Sequence, residues 1–338
     1  MSTLDLFLKH YRGADASEIL ADVTSNILAV EQELETMVQS SVPVVQEVGR
    51  LTLRAGGKRL RPAFVALAAK SLSSNLDPQR LSRLGACLEL VHMATLIHDD
   101  VIDETDLRRG LPTAARSFGN TISILSGDVM LARSMTILAE DGDLDIIRTV
   151  ARSVVEMAEG EAREVASRGN FDLSEADHLE ILRMKTASFV ECCCHVGAQV
   201  AQATPQDVDA LSTYGHHVGM AFQIIDDLLD YQQPPEVTGK PQATDFREAC
   251  ATLPLIYLRE MLSADERAFV SREFGNGVSD DEIRMITSWM DQRGAFARAL
   301  GKAQAHAESA REALLRLPES EHRHLLEAVI GFVLDRQA

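Results

Sequence analysis

Apolar residues recur every three or four positions along most of the chain, for example at Leu81, Leu84, Leu88 and Val91. This spacing places the apolar side chains on one face of an α-helix, whereas a strand would alternate every second residue. The pattern therefore predicts long helices and no strand ladder. The predicted helices cover residues 17–40, 43–54, 60–73, 78–104, 112–140, 143–168, 174–203, 205–231, 245–262, 264–274, 278–316 and 318–336.

The segments that connect these helices are short. The candidate linkers at 74–79, 140–145 and 231–242 contain the proline or glycine residues typical of turns, but they lack the length of an interdomain tether. A chain of 338 residues with 46% hydrophobic content is long enough to bury a sizeable core. We therefore expect a single all-α domain over residues 1–338.

Composition supports the helical prediction and limits the possible functions. The chain has 20 Gly and 10 Pro residues and 5% aromatics, which is a poor composition for a β-sandwich or barrel. Its formal net charge of −18 disfavours binding to nucleic acid or to anionic membranes. Any phosphate-bearing partner must therefore be bound by a local group of basic residues.

The cysteine pattern and the N-terminal segment favour a reducing, cytoplasmic location. The five cysteines include the run Cys192–Cys194 and form neither a CxxC spacing nor a disulfide framework. The N-terminal segment lacks the basic-then-apolar layout of a signal peptide, and no apolar run reaches the roughly 18 residues of a membrane span. We expect a protein without an integral membrane segment.

Two segments, 99–103 and 226–230, share the pattern Asp-Asp-x-x-Asp, and each follows a strongly apolar run. On a helix, the first and last Asp of each pattern lie on one face, where like charges oppose helix formation. Each cluster also lies near the predicted end of its helix, at the negative pole of the helix dipole. Carboxylate oxygens on one face suit a hard cation, and Mg²⁺ fits better than Zn²⁺.

A solvated helix end explains a single acidic cluster equally well. Two clusters are harder to explain in this way, because the apolar sequence before each one predicts burial up to the first Asp. Unpaired buried charge is costly, so the repeated pattern favours a bound cation.

Two basic segments stand out against the acidic background: Gly56–Pro62, with the sequence GGKRLRP, and Arg108–Gly110. Lys58 and Arg61 are three residues apart and can converge on one anion. The second segment directly follows the first Asp cluster, so a phosphate bound jointly by metal and guanidinium is the natural ligand. For either segment alone, surface charges paired with carboxylates are the alternative.

Single polar residues within apolar helices extend this pattern. A lysine that snorkels to solvent and a glutamine that satisfies the backbone are the structural alternatives for such residues. The sequence has no P-loop and no GxGxxG motif, so nucleotide binding has no support. The helical residues of this kind are Lys185, Thr186, Gln223 and, two turns before Asp99, His92, and Lys240 in the loop TGKP adds a further basic residue.

Taken together, these motifs closely resemble those of the trans-polyprenyl diphosphate synthases of the medium- and long-chain type, the head-to-tail isoprenyl chain-elongating enzymes. The matching segments are GGKRLRP, LIHDDVIDETDLRRGLPT, KTA, GMAFQIIDDLLDY, GKP and TLPL, and they cover about residues 45–260. The resemblance implies an all-α fold of the isoprenoid synthase type around a central cavity, with the two Asp clusters facing each other across its mouth. It also implies a homodimer or, in some family members, a heteromer.

The resemblance also assigns roles to individual residues. The allylic diphosphate would be held by Mg²⁺ ions bound to Asp99, Asp103 and Asp226, with Asp100, Asp227 and Asp230 as further candidates. It would contact Arg108, Lys185, Thr186, Gln223 and Lys240. Isopentenyl diphosphate would contact Lys58, Arg61, His92 and Arg109.

The family reaction is an ionisation, condensation and elimination that joins isopentenyl diphosphate to an allylic diphosphate. Metal and basic groups would stabilise the departing diphosphate, while Lys185 and Thr186 would place a carbonyl or hydroxyl dipole near the allylic cation. The resemblance implies that the proton is lost to the released diphosphate, which agrees with the absence of a His and carboxylate pair at the motifs. One departure concerns Cys250, where many relatives have a further lysine for the diphosphate.

The family measures product length on the helix that precedes the first Asp cluster. Val91, Ala94 and Thr95 lie there, and none is aromatic, so the growing chain can pass into the apolar interior. We expect a product of thirty to fifty carbons. A floor formed by another helix, for example at Met130 or Met135, would give a shorter product.

Three alternatives stay open or are disfavoured at this point. A shorter-chain farnesyl or geranylgeranyl synthase and a partner-dependent subunit of a heteromeric synthase both fit the motifs. A class I terpene cyclase would share the fold and the first Asp cluster, but it would normally have an Asn/Ser/Glu motif in place of the second. The sequence DDLLD at 226–230 argues against a cyclase.

Overall fold

A computed structural model describes residues 9–11, 13, 16–233 and 241–335 of the chain. These residues are mostly helical, which confirms the all-α fold class. A π-helix, π1 (Arg183–Ala187), joins two of the helices. The α-helices are α1 (Ala16–Met37), α2 (Pro43–Arg54), α3 (Leu60–Leu72), α4 (Pro78–Ile102), α5 (Ala114–Phe118), α6 (Asn120–Asp141), α7 (Leu144–Ser167), α8 (Glu175–Leu182), α9 (Ser188–Val200), α10 (Pro205–Gln232), α11 (Thr244–Arg247), α12 (Leu253–Arg259), α13 (Ala264–Glu273), α14 (Asp280–Gln292), α15 (Ala295–Leu314) and α16 (Glu321–Asp335).

Two of the predicted helices are wrong because a glycine interrupts each of them. The predicted helix 112–140 is divided into α5 and α6 at Gly119, and the predicted helix 278–316 is divided into α14 and α15 at Gly294. The φ angles of these glycines are 80° and 77°, values that a right-handed helix does not contain. The hydrophobic period continues across both breaks, so the apolar pattern alone does not reveal them.

Two other predicted helices contain irregular backbone. The predicted helix 245–262 is divided into α11 and α12 by residues 248–252, where Ala249 has a φ of 59°. The predicted helix 174–203 consists of α8, π1 and α9. The π-helix contains Lys185 and Thr186, two of the predicted substrate-binding residues, and π-bulges are frequently found at functional sites.

A small hairpin contradicts the expectation of no strand pairing. Strand β1 (Leu107–Arg108) pairs antiparallel with β2 (Leu111–Pro112). Between them, Arg109 and Gly110 have φ angles of 52° and 79°. Two positive φ values are characteristic of the type I′ turn that joins short hairpins. Strands of two residues are too short to produce an alternating pattern in the sequence.

The chain divides into two compact units, each assembled from segments that are separate in sequence. The described residues of the first unit belong to Met1–Ala151, Cys193–Leu211 and Arg316–Val329. Those of the second unit belong to Arg152–Cys192, Ser212–Leu315 and Ile330–Ala338. The expected single domain stays a prediction.

In the first unit, α4 packs against α1, α3 and α6. Asp77 caps the N-terminus of α4 by accepting a hydrogen bond from the N–H of Gln79 at 2.9 Å, and Pro78 occupies the first helical position. From Leu81 to Ala94 nearly every residue is buried. The helix is therefore a core element of this unit, and it leads directly to the first Asp cluster.

In the second unit, α12 packs against α14 and α15, and α8 packs against π1. Helix α10 carries the second Asp cluster near its C-terminal end. Ile224, Ile225 and Leu228, which flank the first two aspartates of that cluster, are completely buried. The apolar neighbours therefore fix the position of α10, and with it the position of the cluster.

Among the described residues, helix α6 is long and apolar enough to cross a membrane by length and composition alone. On one face Ser123, Ser126 and Met130 are buried in the first unit, whereas Ile124 and Leu125 on another face are exposed. A single helix with these properties is also typical of the core of a globular protein, so this finding does not by itself place the chain in a membrane.

Candidate active site

The first Asp cluster lies at the C-terminal end of α4, as the sequence predicts. Asp99 and Asp100 occupy the last turn, and Asp103 follows the helix as its cap, with its N–H donating to the carbonyl of Asp99 at 2.8 Å. The side chains of Asp99 and Asp103 are half-buried. Both carboxylates therefore lie at the negative pole of the helix dipole, where a cation is stabilising.

Asp100 forms an ion pair with Arg108 in the same unit. Asp100 is only 4% exposed, and both Nε and Nη2 of Arg108 lie 2.8 Å from its Oδ1. Two features bring Arg108 to this position: the hairpin, and a hydrogen bond at 3.0 Å from the N–H of Thr105 to the carbonyl of Asp100. Arg108, a predicted diphosphate ligand, thus also anchors the first Asp cluster.

A group of arginines surrounds His92 in the first unit. Burial and the charges of Arg61 and Arg109 hold the pKa of His92 well below its ordinary value, so the imidazole is neutral at pH 7. Burial and the charges of Arg108 and Arg59 lower the pKa of Arg109 in turn. A bound anion would relieve this mutual repulsion. The arrangement is therefore suited to a diphosphate.

A small pocket opens among these groups. Its lining includes Gly56, His92, Arg108 and Arg109, together with apolar residues of α2 and α4. Lys58, which the sequence places at the same anion site, is exposed in the adjacent loop. The structure thus brings His92, Arg108 and Arg109 together.

Arg59, which the sequence analysis did not single out, is buried in this region. Its Nε lies 2.6 Å from Glu31 of α1, and its Nη1 lies 3.2 Å from Glu89 of α4. Arg59 has a φ of 47° and directly precedes α3. Within the motif GGKRLRP, Arg59 therefore has a structural role. The sequence feature that indicates this role of Arg59 is Glu89, an acidic residue within an apolar helix.

The second Asp cluster lies in the last turns of α10. Asp226 is exposed, Asp230 is half-buried and Asp227 is 5% exposed. His178 of α8, itself 5% exposed, places Nε2 at 2.9 Å from Oδ2 of Asp227. The expectation that the motifs contain no pairing of His with a carboxylate is therefore wrong. The fold brings these two residues together although they are 49 positions apart in sequence.

A chain of hydrogen bonds continues from this pair. Burial raises the pKa of Asp227, and hydrogen bonds from His178 and Gln223 oppose that effect. Gln223 donates through Nε2 to Oδ1 of Asp227 at 3.4 Å, and the hydroxyl of Thr186 donates to Oε1 of Gln223 at 3.0 Å. The structure thus brings together Thr186 and Gln223, two predicted ligands of the allylic diphosphate.

Asp230 is held by the backbone that follows α10. Its two carboxylate oxygens accept hydrogen bonds from the N–H groups of Thr244 at 3.1 Å and Asp245 at 3.0 Å. Burial nevertheless raises the pKa of Asp230 to about 6, and the carboxylate of Asp227 adds to this effect. Burial and the charge of Asp230 also raise the pKa of Asp245 well above its ordinary range. Negative charge is therefore concentrated at this end of α10.

Lys185 in π1 is held by two glutamates of α7. Its Nζ lies 2.8 Å from Oε2 of Glu161 and 2.7 Å from Oε1 of Glu164. Burial lowers the pKa of Lys185, but the two carboxylates outweigh burial and raise that pKa above its ordinary value. Gly160 permits this approach, because a Cβ at that position would lie 2.8 Å from the backbone nitrogen of Lys185. The sequence feature that indicates a cationic partner here is the pair of glutamates three residues apart on one helix.

Each unit contains an Asp cluster, and carboxylate oxygens are the donor type that a hard divalent cation takes. Among the residues that the structure describes, no group of three or more His, Cys, Asp and Glu side chains is arranged to hold a metal ion alone. Mg²⁺ commonly takes one or two protein carboxylates and completes its shell with water and substrate phosphates. Burial is the main cause of the raised pKa of Asp230, and the nearby carboxylate of Asp227 adds negative charge that such an ion would neutralise. An oxygen donor set of this kind agrees with Mg²⁺.

The other predicted site residues have the following places. Lys240 lies outside the described residues. Val91 and Ala94 are buried on α4, and Thr95 is half-buried with its hydroxyl donating to the carbonyl of His92 at 2.8 Å. Burial raises the pKa of the Cys250 thiol to about 12, so this side chain is neutral and does not replace a lysine.

Comparison with known proteins gives a consistent result. The family model described as Polyprenyl synthetase matches residues 42–289 of the chain. A relative, the heptaprenyl diphosphate synthase component 2 of Geobacillus stearothermophilus, is 36% identical over 312 residues, which cover 92% of this chain and 96% of the relative. The segment matched by the family model includes both Asp clusters and extends beyond the motif-bearing segment 45–260.

Solved structures are similar over almost the whole chain. A decaprenyl diphosphate synthase from Rhodobacter capsulatus has a TM-score of 0.89 and 32% sequence identity, covering 95% of this chain and 99% of its own. A polyprenyl synthase from Caulobacter crescentus, crystallised with calcium and isoprenyl diphosphate, has a TM-score of 0.87 and 31% identity, covering 99% and 98%.

Proposed function

The chain belongs to the polyprenyl synthetase family and is a prenyltransferase, and we propose that it joins isopentenyl diphosphate to an allylic diphosphate with Mg²⁺. One observation supports the proposal: in each unit, an Asp-rich helix end lies beside groups suited to diphosphate. In the first unit these groups are the arginines around His92. In the second they are Thr186 and Gln223 beside the aspartates of α10.

We assign the metal to Asp99, Asp103 and Asp226. When bound, Mg²⁺ would supply positive charge that neutralises diphosphate oxygens and makes the diphosphate a better leaving group. The calcium and isoprenyl diphosphate named for the Caulobacter crescentus structure support a divalent cation and this substrate class. Asp226 is exposed, and Asp99 and Asp103 are half-buried, a degree of exposure that suits an ion that carries its own water.

The allylic diphosphate is assigned to Arg108, Lys185, Thr186, Gln223 and Lys240. A guanidinium binds phosphate oxygens through two parallel N–H groups, and Arg108 is already oriented by Asp100. Lys185 stays protonated because Glu161 and Glu164 raise its pKa. These cations would stabilise the negative charge that grows on the departing diphosphate.

Isopentenyl diphosphate is assigned to Lys58, Arg61, His92 and Arg109. The neutral His92 offers a hydrogen-bond donor without adding to the repulsion among the arginines. Binding of a diphosphate would place negative charge among these cations. The double bond of this substrate would then attack the allylic cation.

Loss of a proton completes the reaction. His178 is the histidine that meets a carboxylate at the second motif, but it is 5% exposed and its Nε2 is engaged by Asp227. It is therefore poorly placed to take a proton from substrate. We assign this proton to the released diphosphate, whose oxygens lie next to the new bond in the family reaction.

We propose a product of thirty to fifty carbons. Val91, Ala94 and Thr95 on α4 present no aromatic side chain that would stop the growing chain. Similar proteins are named for heptaprenyl and decaprenyl products. The alternative is a shorter product, set by side chains of another helix such as Met130, which is buried on α6.

We propose that two copies of this chain associate through α6. Ile124, Leu125 and Val129 lie on one face of this helix and are 42%, 53% and 37% exposed. A second copy would cover this apolar face. The relative from Geobacillus stearothermophilus is named as component 2 of its enzyme, so a different second subunit is the alternative.

A cytoplasmic location stays a prediction.

Light scattering on a sizing column tests the association. The change Leu125→Glu should convert a dimer to a monomer, because a charge on a buried apolar face is costly. Leu315→Glu, at a position that is 73% exposed, is the matched control and should leave the mass unchanged. A monomeric wild-type chain would contradict the proposed dimer.

The decisive test of function is incubation of the purified chain with Mg²⁺, labelled isopentenyl diphosphate and each of several allylic diphosphates. Chromatography of the dephosphorylated products gives their length. Products of thirty carbons or more support an autonomous long-chain synthase. Products of fifteen or twenty carbons favour the shorter-chain alternative, and absence of any product favours a partner-dependent subunit.

A further inference from the structure

We propose that His178 is a positioning residue of this enzyme, which acts through Asp227 and Gln223 to fix the orientation of the Thr186 hydroxyl. The inference rests on the proposed function, because it concerns the same allylic site. It adds a residue that lies outside every motif and has no direct access to substrate.

The contact between His178 and Asp227 is a buried one. Nε2 of His178 lies 2.9 Å from Oδ2 of Asp227, and each residue is 5% exposed. Most buried polar groups of this kind are hydrogen-bonded. His178 therefore holds the carboxylate of Asp227 in one rotamer, with its second oxygen, Oδ1, turned toward Gln223.

The donor and the acceptor in each of the remaining hydrogen bonds, from Asp227 through Gln223 to Thr186, follow from the chemistry of these groups. Oδ1 of Asp227 accepts hydrogen bonds, so Gln223 must turn its NH₂ group to Asp227 at 3.4 Å. The carbonyl oxygen of Gln223 then faces Thr186 and requires a donor, which is the Thr186 hydroxyl at 3.0 Å. This order holds whether Oδ2 of Asp227 accepts a hydrogen bond from His178 or donates one to it.

The consequence concerns the oxygen of Thr186. Since its hydrogen is directed to Gln223, Oγ1 presents only lone pairs to its other neighbours. Lone pairs directed toward an allylic cation stabilise it, whereas a hydroxyl hydrogen in the same place would repel it. The acceptor Oδ1 of Asp227 sets this direction, and His178 preserves it by holding Oδ1 toward Gln223.

Steady-state kinetics with purified full-length variants tests this inference. His178→Phe keeps the ring and removes the hydrogen bond, and His178→Gln keeps a donor N–H. We expect His178→Phe to lower kcat about tenfold, the effect of losing one orienting hydrogen bond, with KM for both substrates changed less than twofold. His178→Gln should stay within about twofold of wild type.

A double-mutant cycle separates positioning from a general structural role. Thr186→Val removes the hydroxyl, so adding His178→Phe to it should cause no further loss of kcat beyond twofold. The proposal is overturned if the two losses multiply, if KM rises instead of kcat falling, or if His178→Gln is as impaired as His178→Phe. Thermal unfolding of every variant accompanies the kinetics. If His178→Phe does not fold, His178→Asn, with a shorter amide, takes its place in the cycle with the same expected outcome.

Failure of this inference is distinguishable from failure of the proposed function. Wild-type chain that forms no product with Mg²⁺, isopentenyl diphosphate and any allylic diphosphate overturns the proposed function and this inference with it. Active wild type with an equally active His178→Phe variant overturns the inference alone.

Discussion

Arg59 and Glu89 form an ion pair in the interior of the first unit. Nη1 of Arg59 lies 3.2 Å from Oε1 of Glu89, and the side chains are 6% and 5% exposed. Burial lowers the pKa of Arg59, but Glu31 and Glu89 outweigh burial and raise that pKa above its ordinary value. The pair ties the segment that carries Lys58 and Arg61 to α4.

We predict that Arg59→Leu lowers the free energy of unfolding by about 3 kcal/mol, because removal of one partner leaves a buried charge without its partner. Urea denaturation measures the change. Arg54→Leu, at an exposed position of α2, is the matched control and should stay within about 0.5 kcal/mol of wild type. Equal effects of the two changes would contradict the assigned role of Arg59.

A second prediction concerns Gly160, which lies where α7 meets π1. A Cβ at Gly160 would lie 2.7 Å from Cβ of Met184 and 2.8 Å from the backbone nitrogen of Lys185. Gly160→Ala should therefore displace π1, destabilise the fold by about 1–3 kcal/mol and reduce kcat. Urea denaturation and initial rates measure both effects.

Gly301 in α15 is the matched control for Gly160. A Cβ at Gly301 would meet no atom within 4 Å. Gly301→Ala should raise the free energy of unfolding by about 0.5–1 kcal/mol, because alanine has the higher helix propensity. Unchanged kcat in Gly160→Ala would show that π1 tolerates displacement.

The third prediction concerns pH. Nδ1 of His306 in α15 lies 2.9 Å from Nδ1 of His217 in α10, so one ring must donate and the other must accept. Burial and the charges of His217, His216 and Lys302 lower the pKa of His306 to about 4. Burial and the charge of His216 lower the pKa of His217, and the negative charge of Glu191 opposes them by raising it.

The lowered pKa of His306 means that the free energy of unfolding falls as the pH falls. Because folded His306 resists protonation, its contribution is complete above the unfolded pKa of about 6.5 and is lost as pH falls toward 4. The wild-type chain should lose on the order of 1–2 kcal/mol from this source between pH 7 and pH 4, after allowance for solvent screening. His306→Gln should lose correspondingly less, as measured by urea denaturation across pH. A slope identical to that of the wild type would contradict this account.

Local patterns predicted much of this molecule because their causes are local. The end of α4 at Asp103 follows from residues within one helical turn. The grouping of Arg61 and Arg109 around His92 depends on packing, because these arginines are 31 and 17 positions away in sequence. The pairing of His178 with Asp227 could not be predicted in this way, since it depends on how α8 packs against α10. The break at Gly119 was equally hidden, because apolar spacing continues through it.

The fourth prediction concerns the metal assigned to Asp226. Asp226→Asn keeps the size of the side chain and removes its charge, so kcat should fall about 100-fold or more, while the free energy of unfolding stays close to that of wild type. Asp209→Asn is the matched control, because Asp209 is 67% exposed in the same helix. Initial rates over a range of Mg²⁺ concentrations measure the effect. An unchanged dependence of rate on Mg²⁺ would contradict the assignment of Asp226.

The fifth prediction concerns product length. Ala94 is 1% exposed on the helix that leads to Asp99, and Thr95 beside it is half-buried. If the growing chain passes this face of α4, then Ala94→Phe or Thr95→Phe should shorten the product toward fifteen or twenty carbons, since an aromatic ring fills the space that the tail requires. Chromatography of the dephosphorylated products gives the length.

The two substitutions, Ala94→Phe and Thr95→Phe, differ in how much they destabilise the fold. Phenylalanine at Ala94 enters a packed region and should destabilise the fold by about 1–3 kcal/mol, whereas Thr95 has more room. Ala305→Phe, at an exposed position of α15, is the control and should leave product length unchanged. A long product from both α4 variants would mean that the chain does not pass this face. The length would then be set elsewhere, and Met130 of α6 would be the next position to change.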